Sequence, residues 1–395
     1  MTRVAASTVL LFALACDADE RDRPMLVGPD PSGAPIASLS TQWRTRFDLG
    51  DTAFELAYRP AQGLGPLYVR TACASCHADD AKGPGFVTKM SAPDDAPLPW
   101  GDTARPYTGG GATTPIAPGE GVRTATRIGP AVFGRGYMEA IDVAELERVA
   151  AEQAAVGDRI HGRIHRVSWH SAANPDARFH DAAPGDDALV GRFGLKASIA
   201  TLDDFAAGAL VGDMSITSPM RPDELANPDG ITDDELPGVD DRLETVNLLA
   251  DYVRMLEIPS RVDDDAQRAR GRALFAEVGC ARCHVPSLRT AASWPLPQLA
   301  DIDAPIYSDL LLHDMGEALA DGVREGDAGP RDWRTAPLMG LRHLRSYLHD
   351  GRTDDLDDAI VAHGDPDSEA FDVVTDYLAL PDDDRDDLLA FVGSL

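Results

Sequence analysis

The sequence predicts a mainly α fold with long loops and little β-sheet, built as two related halves. Three observations lead there. The pentapeptide Cys73-Ala74-Ser75-Cys76-His77 recurs as Cys280-Ala281-Arg282-Cys283-His284. Leu67-Tyr68 stand six and five residues before Cys73, and Leu274-Phe275 stand at the same offsets before Cys280, the mark of an internal duplication. The clearest apolar periodicities have helical spacing, while no alternating β-branched run is long enough for a sheet of any size.

C-x-x-C-H is the attachment signature of c-type haem. Two thiols add across the porphyrin vinyl groups and the next histidine is delivered to the iron. Cys73, Cys76, Cys280 and Cys283 are therefore the expected attachment residues, His77 and His284 the expected axial ligands, and two covalently bound haem c groups the expected cofactors. A thioredoxin-like dithiol or a four-cysteine zinc site would leave the histidine after each second cysteine unexplained, and zinc pairs usually sit closer in sequence. A leucine and an aromatic on a helix leading into each motif would pack against the haem, as in cytochrome c folds.

The chain has 395 residues and five cysteines, of which only Cys16 lies outside the motifs. Residues 1–16, MTRVAASTVLLFALAC, combine Arg3, an apolar segment and small residues before Cys16, which reads as an export signal too short for a membrane span. Cys16 resembles the lipidated cysteine of a bacterial lipobox, although Ala13 stands where leucine is usual. The expected location is the periplasmic side of the cell envelope, with the membrane reached by a lipid anchor only. Net charge is -30, from 36 basic and 66 acidic residues, so phosphate would be repelled and no nucleic-acid partner is expected. The same surface would attract a basic electron donor, or simply keep the protein soluble.

In chain order, residues 17–40 are charged and rich in Pro, Gly and Ser and read as a flexible tether. A helix is expected from about Thr41 to Ala57 and a long loop from Pro84 to Gly136, its GGGATTPIAPGEG stretch lacking the Gly-Lys-Ser/Thr of a phosphate loop. Asp142 and Glu145 form a capping-box pattern opening a helix to about Val156. His161, His165, His170 and His180 lie in a polar segment and are expected at the surface. Pro222 to Asp241 is an acidic connector, which divides the chain into haem domains at 41–235 and 236–395. Beyond it Val246, Leu249, Val253 and Leu256 mark a helix stopped by Pro259. Another runs from about Asp264 to Val278, and a last one follows Pro381.

Longer motifs add a family. YSDLLLHDMG at 307–316, WRTAPLMGL at 333–341 and YLHDGRTDDLDDAIVAHG at 347–364 in the second half join RIGPAVFGRGYMEAI at 127–141 and GRFGLKASIATLDDFAAGALVGDMSITSP at 191–219 in the first. In content and order they resemble the bacterial di-haem cytochrome c peroxidase superfamily, and within it the di-haem oxidoreductase branch often labelled "thiol oxidoreductase". The resemblance runs from about residue 40 to the end. It implies two cytochrome c-like haem domains, reduction of hydrogen peroxide or a related oxidant at one haem, and entry of electrons through the other.

By the same resemblance, His363 falls at the distal ligand position of the second haem, where methionine is usual, and would make that haem bis-histidine and low in potential. Asp213 aligns with a distal glutamate that moves a proton between the peroxide oxygens, and is the expected catalytic residue. Phe193 stands where relatives carry a tryptophan between the haems, with Trp169 a weak substitute. Pro93 occupies the place of a distal histidine, so the first haem is either open or ligated from elsewhere, with Met90, Met138 and Met214 as candidates. Arg342, Arg345 and Arg352 could meet haem propionates, and His313 and Met315 would line the second haem without ligating it. The implied partners are a small electron-donor cytochrome or cupredoxin and a peroxide-like oxidant, with calcium as a further ion. A non-catalytic di-haem electron carrier, or a redox partner in iron uptake, is the alternative.

Overall fold

Caps and apolar spacing place the helices close to where the sequence puts them. In a computed structural model, residues 33–78, 83, 85–94, 96–108, 111–112, 119–226 and 238–395 are described. The export signal with Cys16, most of the expected tether and most of the acidic connector lie outside the described residues. Ala34 and Ile36, at the end of the tether stretch, hydrogen-bond to the backbone of Glu257 and Met255.

Nine α-helices occur among the described residues: α1 Thr41–Glu55, α2 Arg135–Ala140, α3 Val143–Val156, α4 Leu202–Met214, α5 Leu243–Met255, α6 Ala266–Glu277, α7 Leu356–Val361, α8 Phe371–Leu378 and α9 Asp382–Val392. Side chains cap several starts: Ser40 accepts from Trp43 N–H, Asp142 from Ala144 N–H, Thr201 from Asp204 N–H and Asp265 from Arg268 N–H. The capping box of α3 is only half made, because Glu145 turns to Arg148 rather than back to the cap. No helix among the described residues is long and apolar enough to cross a membrane.

The sheets are small. Short antiparallel strands pair as β1 Leu67–Tyr68 with β4 Tyr107–Thr108 and β5 Gly111–Ala112, and as β2 Phe86–Ser91 between β3 Thr103–Ala104 and β6 Arg123–Ile128. Two-stranded ribbons follow: β7 Arg166–Val167 with β8 Leu189–Val190, β9 Leu288–Arg289 with β10 Asp303–Ala304, and β11 Leu312–Asp314 with β12 Asp332–Arg334. Two expectations change here. Part of the stretch read as a long loop is the β3-β2-β6 sheet, in which Phe86 pairs with Ile128 and Ser91 with Arg123. Leu67-Tyr68 lie on a strand rather than on a helix entering the first motif, because Gly63, Gly65 and Pro66 interrupt any helical run ahead of them. The helix serving the first motif is α1, whose Phe54 carbonyl accepts from Ala74 N–H.

Two apolar cores serve the two motifs. The larger gathers Phe47 and Phe54 of α1, Leu210 and Met214 of α4, and Val246, Leu249 and Tyr252 of α5, with Cys73 packed against it. The smaller gathers Phe275, Tyr377, Leu388 and Phe391 around Cys280 and Tyr307. A line drawn at 235/236 passes just ahead of α5, whose buried face belongs with α1 and α4. In the smaller core α6 lies directly on α9, and a Cβ on Gly271 would stand 1.9 Å from the Asp387 carbonyl oxygen. Gly271→Ala should therefore cost about 1–3 kcal/mol by forcing the two helices apart, read as a lower midpoint in urea unfolding; an unchanged midpoint would refute the close approach.

Candidate functional site

Each motif closes one tight turn. Cys76 and His77 N–H groups donate to the Cys73 carbonyl at 3.0 and 3.1 Å, and His284 N–H donates to the Cys280 carbonyl at 3.0 Å. The four motif cysteines are free of disulfides. Burial raises their pKa values, Cys73 and Cys280 to about 12 and Cys76 to about 11, with nearby Asp213 adding to the shift at Cys73 and Cys76. These are neutral thiols, opposite in character to the lowered-pKa thiolates of dithiol redox sites.

The first motif opens onto a cavity of about 960 Å³. Phe205, Ala209 and Asp213 of α4, spaced four apart and so on one helix face, line it together with Cys73, Cys76 and His77. Burial lowers the His77 pKa to about 4, the Pro130 carbonyl opposes the shift, and the charge of Arg135 adds to it. The imidazole is thus neutral near pH 7, as a metal ligand must be. Burial raises Asp213 to about 6; Lys89 opposes, Asp102 adds, and Arg105 opposes. Lys89 donates to Asp102 at 3.1 Å and to Thr103 at 2.9 Å. Arg127 is paired with Glu325 and, at 2.8 Å, with Asp321. Burial alone would raise Glu325, but Arg127 and Lys89 keep it an anion.

The second motif faces His363. Burial lowers the His284 pKa to about 4, and the charge of His363 works in the same direction. Each holds its Nδ1 on a backbone carbonyl, His284 on Tyr307 at 3.3 Å and His363 on Ala359 at 2.7 Å. A carbonyl can only accept, so both Nδ1 atoms carry hydrogen and both Nε2 atoms are left with a lone pair. Beside them Cys283, Asp309 and His313 converge, the one such cluster of potential metal-ligating groups among the described residues. His313 donates to Asp309 at 2.9 Å and to Glu369 at 2.7 Å. Although burial opposes its charge, the Asp309 carboxylate at 2.9 Å helps raise its pKa well above the ordinary histidine value and holds it protonated. With both nitrogens donating it has no lone pair for a metal.

A family model described as "Di-haem oxidoreductase, putative peroxidase" matches residues 113–395, beginning after the first motif. The chain belongs to that di-haem oxidoreductase family. It is an oxidoreductase whose cofactors are two haems. Among solved structures this di-haem oxidoreductase is similar to a hydrazine synthase of Kuenenia stuttgartiensis pressurised with xenon (14% identity, TM-score 0.41, 100% of each chain covered). It is also similar to a MauG-like protein associated with microbial copper homeostasis (14%, TM-score 0.43, covering 93% of this chain and 92% of that one). A third is the diheme peroxidase BthA of Burkholderia thailandensis (16%, TM-score 0.40, covering 89% and 86%). No curated protein matches the chain.

Arg342 donates to His343 at 3.1 Å and Arg352 to Asp350 at 2.7 Å. Of the buried arginines on the first cavity, Arg127 is paired, whereas Arg135 and Arg334 donate to the carbonyls of Ala131, Gly194 and Thr335 and form no ion pair among the described residues. Burial lowers Arg135 to about 9 and Arg334 to about 10. No local pattern marks either residue, because what sets them apart is the missing carboxylate. Phe193 lines the cavity and packs edge-on to Phe205, while the Trp169 ring lies against His180. Met90 and Met214 line the cavity; the Met138 sulfur accepts from Arg135.

Of the four histidines expected at the surface, His161 and His170 are exposed, but His165 and His180 are not. His180 is paired to Asp203 at 2.7 Å, and His165 is buried on the first cavity. Their polar neighbours point outward while these two rings turn in. Replacing Arg127 by Met would remove the cation paired directly to Asp321 and Glu325, leaving Lys196 at 3.9 Å from Asp321 and the more distant Lys89, and should cost about 3–5 kcal/mol in chemical denaturation. A loss under about 1 kcal/mol, the range of exposed pairs, would show that the site is wetter than its burial implies.

Proposed function

We propose that this di-haem oxidoreductase is an exported c-type cytochrome enzyme that reduces hydrogen peroxide or a related small oxidant at the first haem, with electrons entering through the second. The observation that carries the proposal is the shared cavity. A half-buried carboxyl, Asp213, with a pKa near 6, lies on the same walls as Cys73, Cys76 and His77.

The residues fit a haem at both motifs. Neutral thiols suit thioether formation at Cys73, Cys76, Cys280 and Cys283. Neutral imidazoles suit ligation by His77 at the first site and by His284 with His363 at the second. Arg135 and Arg334, buried without a carboxylate, suit the propionates of the first haem. The haem iron supplies the point of attachment for peroxide and the route for electrons.

Asp213 does the proton work. As carboxylate it would take a proton from one oxygen of hydrogen peroxide and return it to the other, which leaves as water. The whole reaction consumes one hydrogen peroxide, two electrons and two protons and forms two waters. The electrons come from a small donor cytochrome or cupredoxin, whose basic surface the charge of -30 would attract. The signal-like segment ending at Cys16 supports export and lipid anchoring on the periplasmic side. Calcium belongs to the same proposal and is checked by metal analysis of the holoprotein.

Asp213→Asn should abolish peroxide turnover while mass spectrometry still shows two haems attached to the chain; retained turnover would remove Asp213 from the mechanism. Because the carboxylate form is the active one, wild-type turnover should fall as pH drops through about 6 and level off above it. At the second haem, His363→Met should raise the midpoint potential in spectroelectrochemistry, since a thioether stabilises ferric iron less than imidazole does. An unmoved potential would mean that His363 does not ligate.

A further inference from the structure

His165 is buried, with 2% of its surface exposed, and it lines the same cavity as His77 and Asp213. Its Nδ1 stands 2.8 Å from the Lys196 carbonyl oxygen. That oxygen can only accept, so Nδ1 carries a hydrogen, which leaves Nε2 as the nitrogen able to accept. The carbonyl is itself well anchored. The Lys196 ammonium donates at 2.8 Å to the Gly329 and Asp332 carbonyls and lies 3.8 Å above the Trp333 ring.

Space is kept in front of Nε2. Gly326 sits at φ +55°, and a Cβ there would approach Nε2 to 3.3 Å. Any larger residue at 326 would crowd the acceptor; glycine leaves it open to the cavity. The charged groups nearest in sequence to that opening, Arg324, Glu325 and Asp327, also line the cavity, and Glu325 is occupied by Arg127.

His165 and His77 share the wall of a cavity of about 960 Å³, which leaves room for a small molecule between cofactor and wall.

We propose that His165 is a ligand-binding residue of the first haem site, its Nε2 accepting a hydrogen bond from a small proton-bearing ligand such as hydrogen peroxide or hydrogen cyanide. The assignment depends on the haem placed in this cavity above, and is distinct from Asp213, which moves the proton. It also gives the site a means of discrimination: neutral ligands that carry a proton are favoured over those that carry none.

The test is optical titration of the ferric holoprotein with cyanide, and of the reduced holoprotein with nitric oxide, in wild type, His165→Leu and His165→Gln. Loss of the acceptor should weaken cyanide binding at the first haem by about tenfold or more in the leucine variant. The glutamine variant, whose side-chain carbonyl can still accept, should lose less. Nitric oxide, which has no proton to donate, should bind all three alike. Unchanged cyanide affinity in His165→Leu would overturn the assignment. So would an equal loss of nitric oxide affinity, which marks a collapsed pocket, or conversion of a low-spin first haem to high spin, which marks an iron ligand. A wild-type protein that binds cyanide at neither haem would instead overturn the open first haem, and this proposal with it.

Discussion

Burial of neutral imidazole is the constraint on which the rest depends. A histidine removed from water loses its proton readily, because the low-dielectric interior penalises the charged ring. His77 and His284 are both held in that state, and both follow directly on a cysteine pair that starts a tight turn. The helices and cores then serve to keep the turns dry. α1 and α4 with α5 enclose the first motif, and α6 on α9 encloses the second. The same physics acts on the thiols, whose raised pKa values keep them neutral. One environment thus prepares thiol and imidazole together for a cofactor that needs both.

The two sites differ in what faces the histidine, and the proposed roles follow from that difference. His284 meets a second imidazole whose hydrogen is already committed to a carbonyl, so the pair is complete without any small molecule. His77 faces a large cavity whose wall holds a carboxyl that titrates near neutrality and a histidine whose Nε2 is able to accept. A closed pair of ligands suits electron transfer, and an open, proton-competent wall suits chemistry. Around the open site the charges are balanced in pairs, Lys89 with Asp102 and Arg127 with Asp321 and Glu325. Arg135 and Arg334 break that rule, and in a buried setting the break points to an anion the protein expects to receive.

The surface charge acts on another scale. A net charge of -30 shapes long-range attraction and solubility. It does not decide the fold, which is set by the helix crossings. The crossing of α6 with α9 depends on the missing side chain of Gly271, and that of α1 with α5 on Gly50, where a Cβ would stand 2.4 Å from the Leu248 carbonyl oxygen.

Local, short-range features were legible in the sequence. The C-x-x-C-H pair, the caps at Asp142 and Asp265, the period of α5 and the lack of large sheets depend on residues close together in the chain, where spacing alone carries the physics. The remainder depended on partners far apart in sequence. The β2–β6 pairing joins residues 86–91 to 123–128 and was hidden in a stretch that reads as loop. Leu67-Tyr68 match Leu274-Phe275 in sequence but not in conformation, since glycine and proline ahead of them outweigh the shared pattern. Nothing in a polar segment with four histidines tells which ring turns inward. His165 was decided by a carbonyl 31 residues away and by a glycine at 326, and Arg135 and Arg334 by a carboxylate that the fold leaves out. The sequence by itself thus determined which cofactor chemistry the chain can hold, because that chemistry is written in adjacent residues. Only the tertiary structure decided which site is open and what lines it, because burial and hydrogen-bond partners are properties of the packed chain.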